Sequence, residues 1–138
     1  MKRLLIFIIF LTFVLKGISQ DTLWHNTIGG TGAITPLKSV VDQNNNIYII
    51  GLFSGNIKDN GTIIPSAGSN DGFLAKFKST GALDWIKIFG GTGIDEVRAI
   101  SIDPTNQHIF VGGSFQYTSS FTGGPNLTVV GTASATNF

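Results

Sequence analysis

The 138-residue chain has no cysteine, so no disulfide can hold its fold together. Small secreted domains often depend on disulfides, because their apolar cores are small. Stability must therefore come from packed apolar surface or from a partner. A lipid-modified cysteine near the N-terminus is excluded for the same reason.

Charge of either sign is scarce as well. Nine basic and eight acidic residues give a formal net charge of +1. No basic patch stands out, and this excludes nucleic acid and anionic membrane surfaces as expected partners.

The chain has one long apolar run, Leu4–Leu15, which is too short to span a membrane. As a helix it would cover about 18 Å of a hydrocarbon core of about 30 Å, which disfavours a transmembrane anchor. Lys2 and Arg3 precede the run, and Gly17 and Ser19 follow it with cleavage-site spacing. This order predicts a secretory signal over residues 1–19, cleaved after Ser19, and a secreted or cell-surface protein with no membrane segment after cleavage.

Helical periodicity is absent beyond residue 20, whereas Gly, Ser, Thr and Asn are abundant. This composition favours short strands joined by tight turns, so the fold class is predicted to be all-β. The remaining 119 residues, 20–138, suffice for one small domain.

An internal repeat organises those residues. At an offset of 61 the matches are Trp24 with Trp85, Gly29–Gly32 with Gly90–Gly93, and Asp42 with Asp103. At an offset of 62, Ile47–Phe53 matches Ile109–Phe115. The chain therefore divides into repeat 1, residues 20–83, and repeat 2, residues 84–138.

Each repeat is predicted to hold four extended segments joined by turns. In repeat 1 these are Thr22–Ile28, Leu37–Val41, Ile47–Phe53 and Phe73–Lys78. In repeat 2 they are Asp84–Phe89, Val97–Ile102 and Ile109–Phe115, and the chain stops where the fourth would begin. Four antiparallel strands per repeat are typical of a propeller blade, so the prediction is about two blades, the second incomplete. The repeated Trp is expected to fill space between sheets, and the repeated glycines to form corners where a Cβ would clash.

The stretch "SAGSNDGFLAKFKSTGALDWIKIFGGTGIDEVRAISIDPTNQHIFVGGSF", residues 66–115, resembles the SBBP repeat, a bacterial β-propeller repeat. The resemblance covers nearly all of residues 22–138. Repeat 1 departs from it, because Ile34 stands where repeat 2 has Asp95 and Pro36 interrupts the second segment. The resemblance implies a propeller architecture and a secreted or surface location, and it implies no catalytic residue.

Fewer than two blades cannot close a propeller, and stacked units need about three for stability. Three interpretations follow. The chain is a piece of a larger propeller, or it forms a cyclic homo-oligomer, or it folds as a curled two-sheet sandwich. The first is favoured, because the chain stops before its expected eighth segment.

Candidate chemistry is weak everywhere. Asp42, Asn44 and Asn46 begin a calcium-loop pattern but lack the following Gly and the distal Glu, so a turn is predicted. Asp95 and Glu96 are adjacent, so only one of them should face any site.

His25 and His108 occupy non-equivalent places in the repeat, and no nucleophile-elbow sequence is present. The Gly-Gly-Thr-Gly stretches lack the Lys and the helix of a phosphate loop. No catalytic, cofactor-binding or metal-binding residue is therefore predicted, and the protein is not expected to be an enzyme.

Aromatic residues are the remaining candidates for binding. Trp24, Trp85 and Tyr48 are expected in the core, and Tyr117 is predicted to be exposed. The predicted function is a secreted, non-enzymatic β-propeller repeat protein that offers a structural or binding surface to an unknown protein or glycan at the cell surface. The alternatives are a carbohydrate-binding module and a fragment without function of its own.

Overall fold

The structure, a computed structural model, describes residues 24–105, 108–117, 119–122 and 127–133, the last stretch by its backbone alone. The predicted signal, residues 1–19, lies outside the described residues. In the described part of the chain every regular element is a strand, which confirms the all-β class. The strands are β1 (Gly30–Thr31), β2 (Ile34–Val41), β3 (Ile47–Phe53), β4 (Asn56–Asp59), β5 (Thr62–Pro65), β6 (Asp71–Phe77), β7 (Leu83–Gly91), β8 (Glu96–Ile102), β9 (Ile109–Phe115), β10 (Ser119–Phe121) and β11 (Leu127–Ala133).

The strands form three open sheets. The largest has five antiparallel strands in the order β10-β7-β6-β3-β2, and a small antiparallel sheet has the order β1-β4-β5. The third sheet has the order β11-β9-β8, in which β8 and β9 are antiparallel and β11 is parallel to β9. Within the described residues the sheets do not close into a propeller.

Two apolar cores cover the two faces of the five-stranded sheet, because successive side chains of a strand point to opposite faces. The first core lies on the side of the β4–β5 hairpin and contains Phe53, Ile57, Phe73, Ala75, Phe77, Ile86 and Ile88. The second lies between this sheet and the β8–β9 hairpin and contains Tyr48, Ile50, Leu74, Phe89, Val97 and Val111. Side chains of β6 and β7 therefore alternate between the two cores, and β3 is buried on both faces.

The prediction of a strand over Thr22–Ile28 is wrong for its described part, since residues 24–29 have no regular secondary structure. The matching segment of repeat 2 is a strand, β7, because β6 lies beside it and supplies a ladder. No described strand lies beside residues 24–28. The Asn26 side chain instead accepts from Thr27 N, a local bond, and donates to the carbonyl of Gly81 in the β6–β7 turn, so side-chain bonds stand where a ladder was predicted.

A hairpin that was not predicted, β4–β5, follows β3. Its signal is present as Asn60-Gly61, a pair that favours a two-residue turn with two positive φ angles. Both residues have them, at 47° and 90°. Sheet membership also differs from the repeat division, because β7, which opens repeat 2, completes the sheet of repeat 1.

Candidate functional site

The repeated Gly-Gly-Thr-Gly stretches form two corners with matching backbone pairing. In repeat 1, Gly30 pairs with Ile57 of β4. In repeat 2, Gly91 pairs with Ser119 of β10, which is the equivalent pair at offsets of 61 and 62. Both corners contain a glycine whose Cβ would clash, as predicted. At Gly30 it would meet the Asn56 carbonyl, and at Gly90 it would lie 2.5 Å from Asp71 Oδ1.

The second corner brings in a buried carboxylate, Asp71, from the first residue of β6. Its side chain is fully buried, and it packs against Gly90. Asp71 Oδ2 accepts a hydrogen bond from Ala67 N at 2.6 Å. Burial raises the pKa of this carboxyl above its ordinary value, the bond from Ala67 opposes that effect, and the charge of Asp95 adds to it.

Asp95 is the second buried carboxylate of the corner, with 2 % of its surface exposed. Its Oδ2 accepts from Gly91 N at 2.7 Å, and its own N–H donates to the Asn70 carbonyl at 3.2 Å. The neighbouring Glu96 is half-buried and forms an ion pair with Arg98. The two adjacent carboxylates therefore do not share one site, in agreement with the prediction.

Each of the buried carboxylates leaves one oxygen without a hydrogen-bond partner. These oxygens are Asp71 Oδ1 and Asp95 Oδ1, both removed from solvent. A buried polar atom without a partner is unfavourable, and a buried charge needs compensation. Because both residues leave such an oxygen in the described part of the chain, the pair is the candidate site. We name it the carboxylate corner.

Asp42, by contrast, has both oxygens occupied within its own turn. Oδ1 accepts from the backbone N–H of Asn44 and of Asn46, each at 2.8 Å. Oδ2 accepts from Asn46 Nδ2 at 2.8 Å and from Tyr48 Oη at 3.2 Å. Burial raises the pKa of Asp42, but these hydrogen bonds outweigh it and hold the pKa below its ordinary value. The geometry is that of an Asx turn, in line with the turn prediction.

The two histidines lie in exposed positions. His108 Nδ1 is 3.2 Å from Asp103 Oδ2, in the turn equivalent to that of Asp42. Thr105 Oγ1 donates to the same Asp103 oxygen at 2.8 Å. This Asp–His contact belongs to an exposed turn, and nothing in it resembles a nucleophile with its base.

Tyr48 is buried and Tyr117 is exposed, as predicted, whereas Trp24 and Trp85, which were expected in the core, are only half-buried. Trp85 lies 6.2 Å from Tyr48 between ring centroids, at the second core. Trp24 stacks on Phe77 at 6.4 Å, at the edge of the first core. Tyr117 is 78 % exposed and has a φ of 60°, which is unusual for a bulky residue.

Sequence reasoning missed Asp71, because a polar residue before an apolar strand reads as part of a turn. The signal that could have found it is the sequence "DGFLAKF", in which Asp71 stands two residues before the apolar run; in the structure it is the first residue of that strand. Its pairing with Phe53 in the centre of a sheet depends on tertiary structure.

Among the described residues no three or more His, Asp or Glu side chains group in a way that would hold a metal ion. Nor does that part of the chain contain a helix long and apolar enough to cross a membrane. No family model, curated protein or solved structure matches the chain.

Proposed function

We propose that this chain is a secreted, non-enzymatic repeat protein of the β-propeller type, whose sheets act as a structural or binding surface. One observation carries the proposal, namely that the two repeats pair their strands in the same register. Thr35 pairs with Leu52 in β2–β3, and Glu96 pairs with Ser114 in β8–β9. Each hairpin then has a bulge two residues later, at Leu37 and at Arg98. Independent folding of unrelated segments would not reproduce a bulge at the same step.

Stacking of repeat units is the second support. The β8–β9 hairpin of repeat 2 covers one face of the sheet that contains β2 and β3 of repeat 1. The opposite face of that sheet carries an open groove of about 290 Å³, whose lining includes Ile28, Ile34, Phe73 and Phe77. Repeat units of this kind bury their faces only against neighbours.

A second copy of the chain is the occupant that we assign to this groove. The outer face of the β8–β9 hairpin presents Phe110, which alternates with the buried Val111 and is 41 % exposed. The exposed Phe110 ring and the groove lie on opposite sides of the stack, so copies would associate head to tail. Such contacts close into rings when the rotation permits.

Light scattering on the exported full chain tests this assembly. We expect a mass of two or more chains, and we expect Phe110→Ser to shift the population to monomers and to lower the melting temperature, because association stabilises the folded state. Tyr117→Ser is the control, since it removes an even more exposed ring, at 78 % against 41 %, that lies outside the hairpin face. A wild-type monomer that melts cooperatively would contradict head-to-tail assembly, and a Phe110→Ser variant of unchanged mass would contradict the assigned face.

Export is tested on the same preparation. In a bacterial host we expect the protein outside the cytoplasm, with Gln20 as its N-terminal residue, because cleavage is predicted after Ser19. Retention in the cytoplasm with Met1 intact would contradict secretion.

Carbohydrate binding is the second candidate, and the backbone of Tyr117 favours it. An exposed aromatic ring held at positive φ is the kind of strained position found at binding sites. A glycan array and sugar-dependent melting shifts would reveal binding, and Tyr117→Ala should abolish it. The absence of any shift across a broad panel would exclude this candidate.

A further inference from the structure

The carboxylate corner holds two acidic side chains that the proposed function does not use. Their charges are close enough for Asp95 to raise the pKa of Asp71. Asp71 packs against Gly90, and Asp95 accepts from Gly91, so the two carboxylates lie beside consecutive residues of β7. Two like charges without compensation are unfavourable in a buried place.

Both side chains keep one buried oxygen without a partner, Oδ1 in each case. Their exposed fractions are 0 % and 2 %, so solvent does not satisfy these atoms. The remaining oxygens are fixed by backbone N–H groups, which orients both carboxylates. We propose that Asp71 and Asp95 bind one Ca²⁺ ion at this corner, each through its unpartnered oxygen.

The donor set fits a hard cation. Ca²⁺ takes six to eight oxygen ligands, which include carboxylates, backbone carbonyls and water. Two backbone carbonyl oxygens, those of Gly91 and Gly93, face Gly68, which follows the Ala67 whose N–H binds Asp71. Zinc and softer metals prefer nitrogen or sulfur ligands, and the two side chains of the corner offer neither.

Repeat 1 gives an internal contrast. At the position of Asp95 it has Ile34, which packs against the first core. The equivalent corner is therefore apolar, and we expect one ion per chain. The inference does not depend on the propeller assignment, since it concerns a corner within a single chain.

Thermal melting of the full chain, first freed of metal with a chelator, tests the site. Extracellular modules often bind Ca²⁺ with dissociation constants on the order of 10⁻⁴–10⁻³ M, so the titration runs to about 10 mM. We expect the melting temperature to rise by about 3–8 °C at the top of this range. Mg²⁺, which demands a smaller octahedral shell, should give a clearly smaller rise at the same concentration.

Two variants, Asp71→Asn and Asp95→Asn, should each abolish the Ca²⁺-dependent rise. Asp42→Asn is the control, because Asp42 is also a buried carboxylate but has both oxygens bonded within its turn. It should lower the starting melting temperature and keep the rise. If Asp71→Asn fails to fold, Asp95→Ile, which copies the residue of repeat 1, takes its place.

Calorimetric titration of the wild-type chain supplies a direct readout, with one ion bound per chain. No binding, an equal response to Mg²⁺, or a rise that survives both corner variants would overturn the inference. So would a chain that gains stability on acidification and does not respond to Ca²⁺, because protonation of the buried Asp71 would then be what relieves its charge.

Discussion

Trp24 lies outside any strand, and contacts of its ring hold it in place. Its ring stacks on Phe77 and covers Gly81, where a Cβ would lie 2.6 Å from the Trp24 ring atom Cε3. Gly81 also has a φ of 85°, which side chains rarely adopt. The β6–β7 turn therefore needs glycine at position 81 for two reasons: the positive φ, and the lack of room for a Cβ beside the Trp24 ring.

Gly81→Ala should lower the free energy of unfolding by about 2–3 kcal/mol, since it adds backbone strain and displaces Trp24. Gly61→Ala is the control, because Gly61 has a φ of 90° and nothing within 4 Å of the added Cβ. Strain alone should remove about 1 kcal/mol there. Urea unfolding measures both, and equal losses would show that Trp24 does not depend on Gly81.

Asp84 should make the stability of the fold depend on pH in the acidic range. Lys76 Nζ lies 3.0 Å from its Oδ2, and Lys78 Nζ lies 3.4 Å from its Oδ1. The hydrogen bond from Lys76 holds the pKa of Asp84 below its ordinary value of 3.8. A lowered pKa in the folded state contributes stability that is present above that ordinary value and is lost as the pH falls through the folded value.

We therefore expect the wild-type melting temperature to fall more steeply than that of Asp84→Asn between about pH 5 and pH 2. Melting curves over this range make the comparison. Lys76→Gln should also make the melting temperature depend less on pH over this range, because it removes the nearer of the two lysines that pair with Asp84. A Lys76→Gln slope equal to the wild-type slope would contradict the assigned cause.

At the scale of the element, the bulges decide which side chains face the core. In β8, Val97, Ile100 and Ile102 all contact the second core, although strict alternation would place Val97 and Ile100 on opposite faces. The extra residue, Arg98, shifts the alternation by one step. A single residue thus sets the side of the sheet on which two isoleucines lie.

Deletion of Arg98 should therefore remove the bulge and keep the hairpin folded, because Val97, Ile100 and Ile102 would then alternate regularly on one face. Arg98→Ala keeps the residue count, and its exposed ion pair with Glu96 contributes little, so we expect a change within about 0.5 kcal/mol. Circular dichroism melting compares both variants with the wild type. A deletion variant that no longer folds would show that the hairpin needs the bulge itself.

The sequence predicts some elements better than others. β3 and β9 follow from continuous apolar runs, and their predicted bounds match the structure. β8 has an irregular pattern, because a bulge breaks the period of two, and nothing in "EVRAISI" alone marks the extra residue. The partnerless segment at Trp24 could not be foreseen, since strand formation there depends on a neighbouring strand rather than on its own residues.

At the scale of the whole molecule, the second core joins the two repeats. Val97 of repeat 2 is 2 % exposed and packs with Leu74 and Phe89 on the five-stranded sheet. Repeat 1 and repeat 2 should therefore unfold together. The carboxylate corner lies where the chain passes from one sheet to the other, and its composition was invisible to a search for local motifs because Asp71 and Asp95 are far apart in sequence.

Val97→Ala should lower the free energy of unfolding by about 2 kcal/mol and speed amide exchange in both β3 and β9. The same change at Val41, which is 59 % exposed, should alter it by no more than about 0.5 kcal/mol. Hydrogen exchange followed by mass spectrometry reports each strand separately. Faster exchange confined to β9 would show that the repeats unfold independently.

The direction of β11 has a consequence for strand exchange. β11 lies beside β9 in parallel, in the place that β6 takes beside β3 in antiparallel. An antiparallel ladder is slightly more stable per residue than a parallel one. If the two segments competed for the edge of β9, an antiparallel segment with the sequence of β6 would bind there more stably than β11. The β8–β9 hairpin would then take up that segment as a third strand.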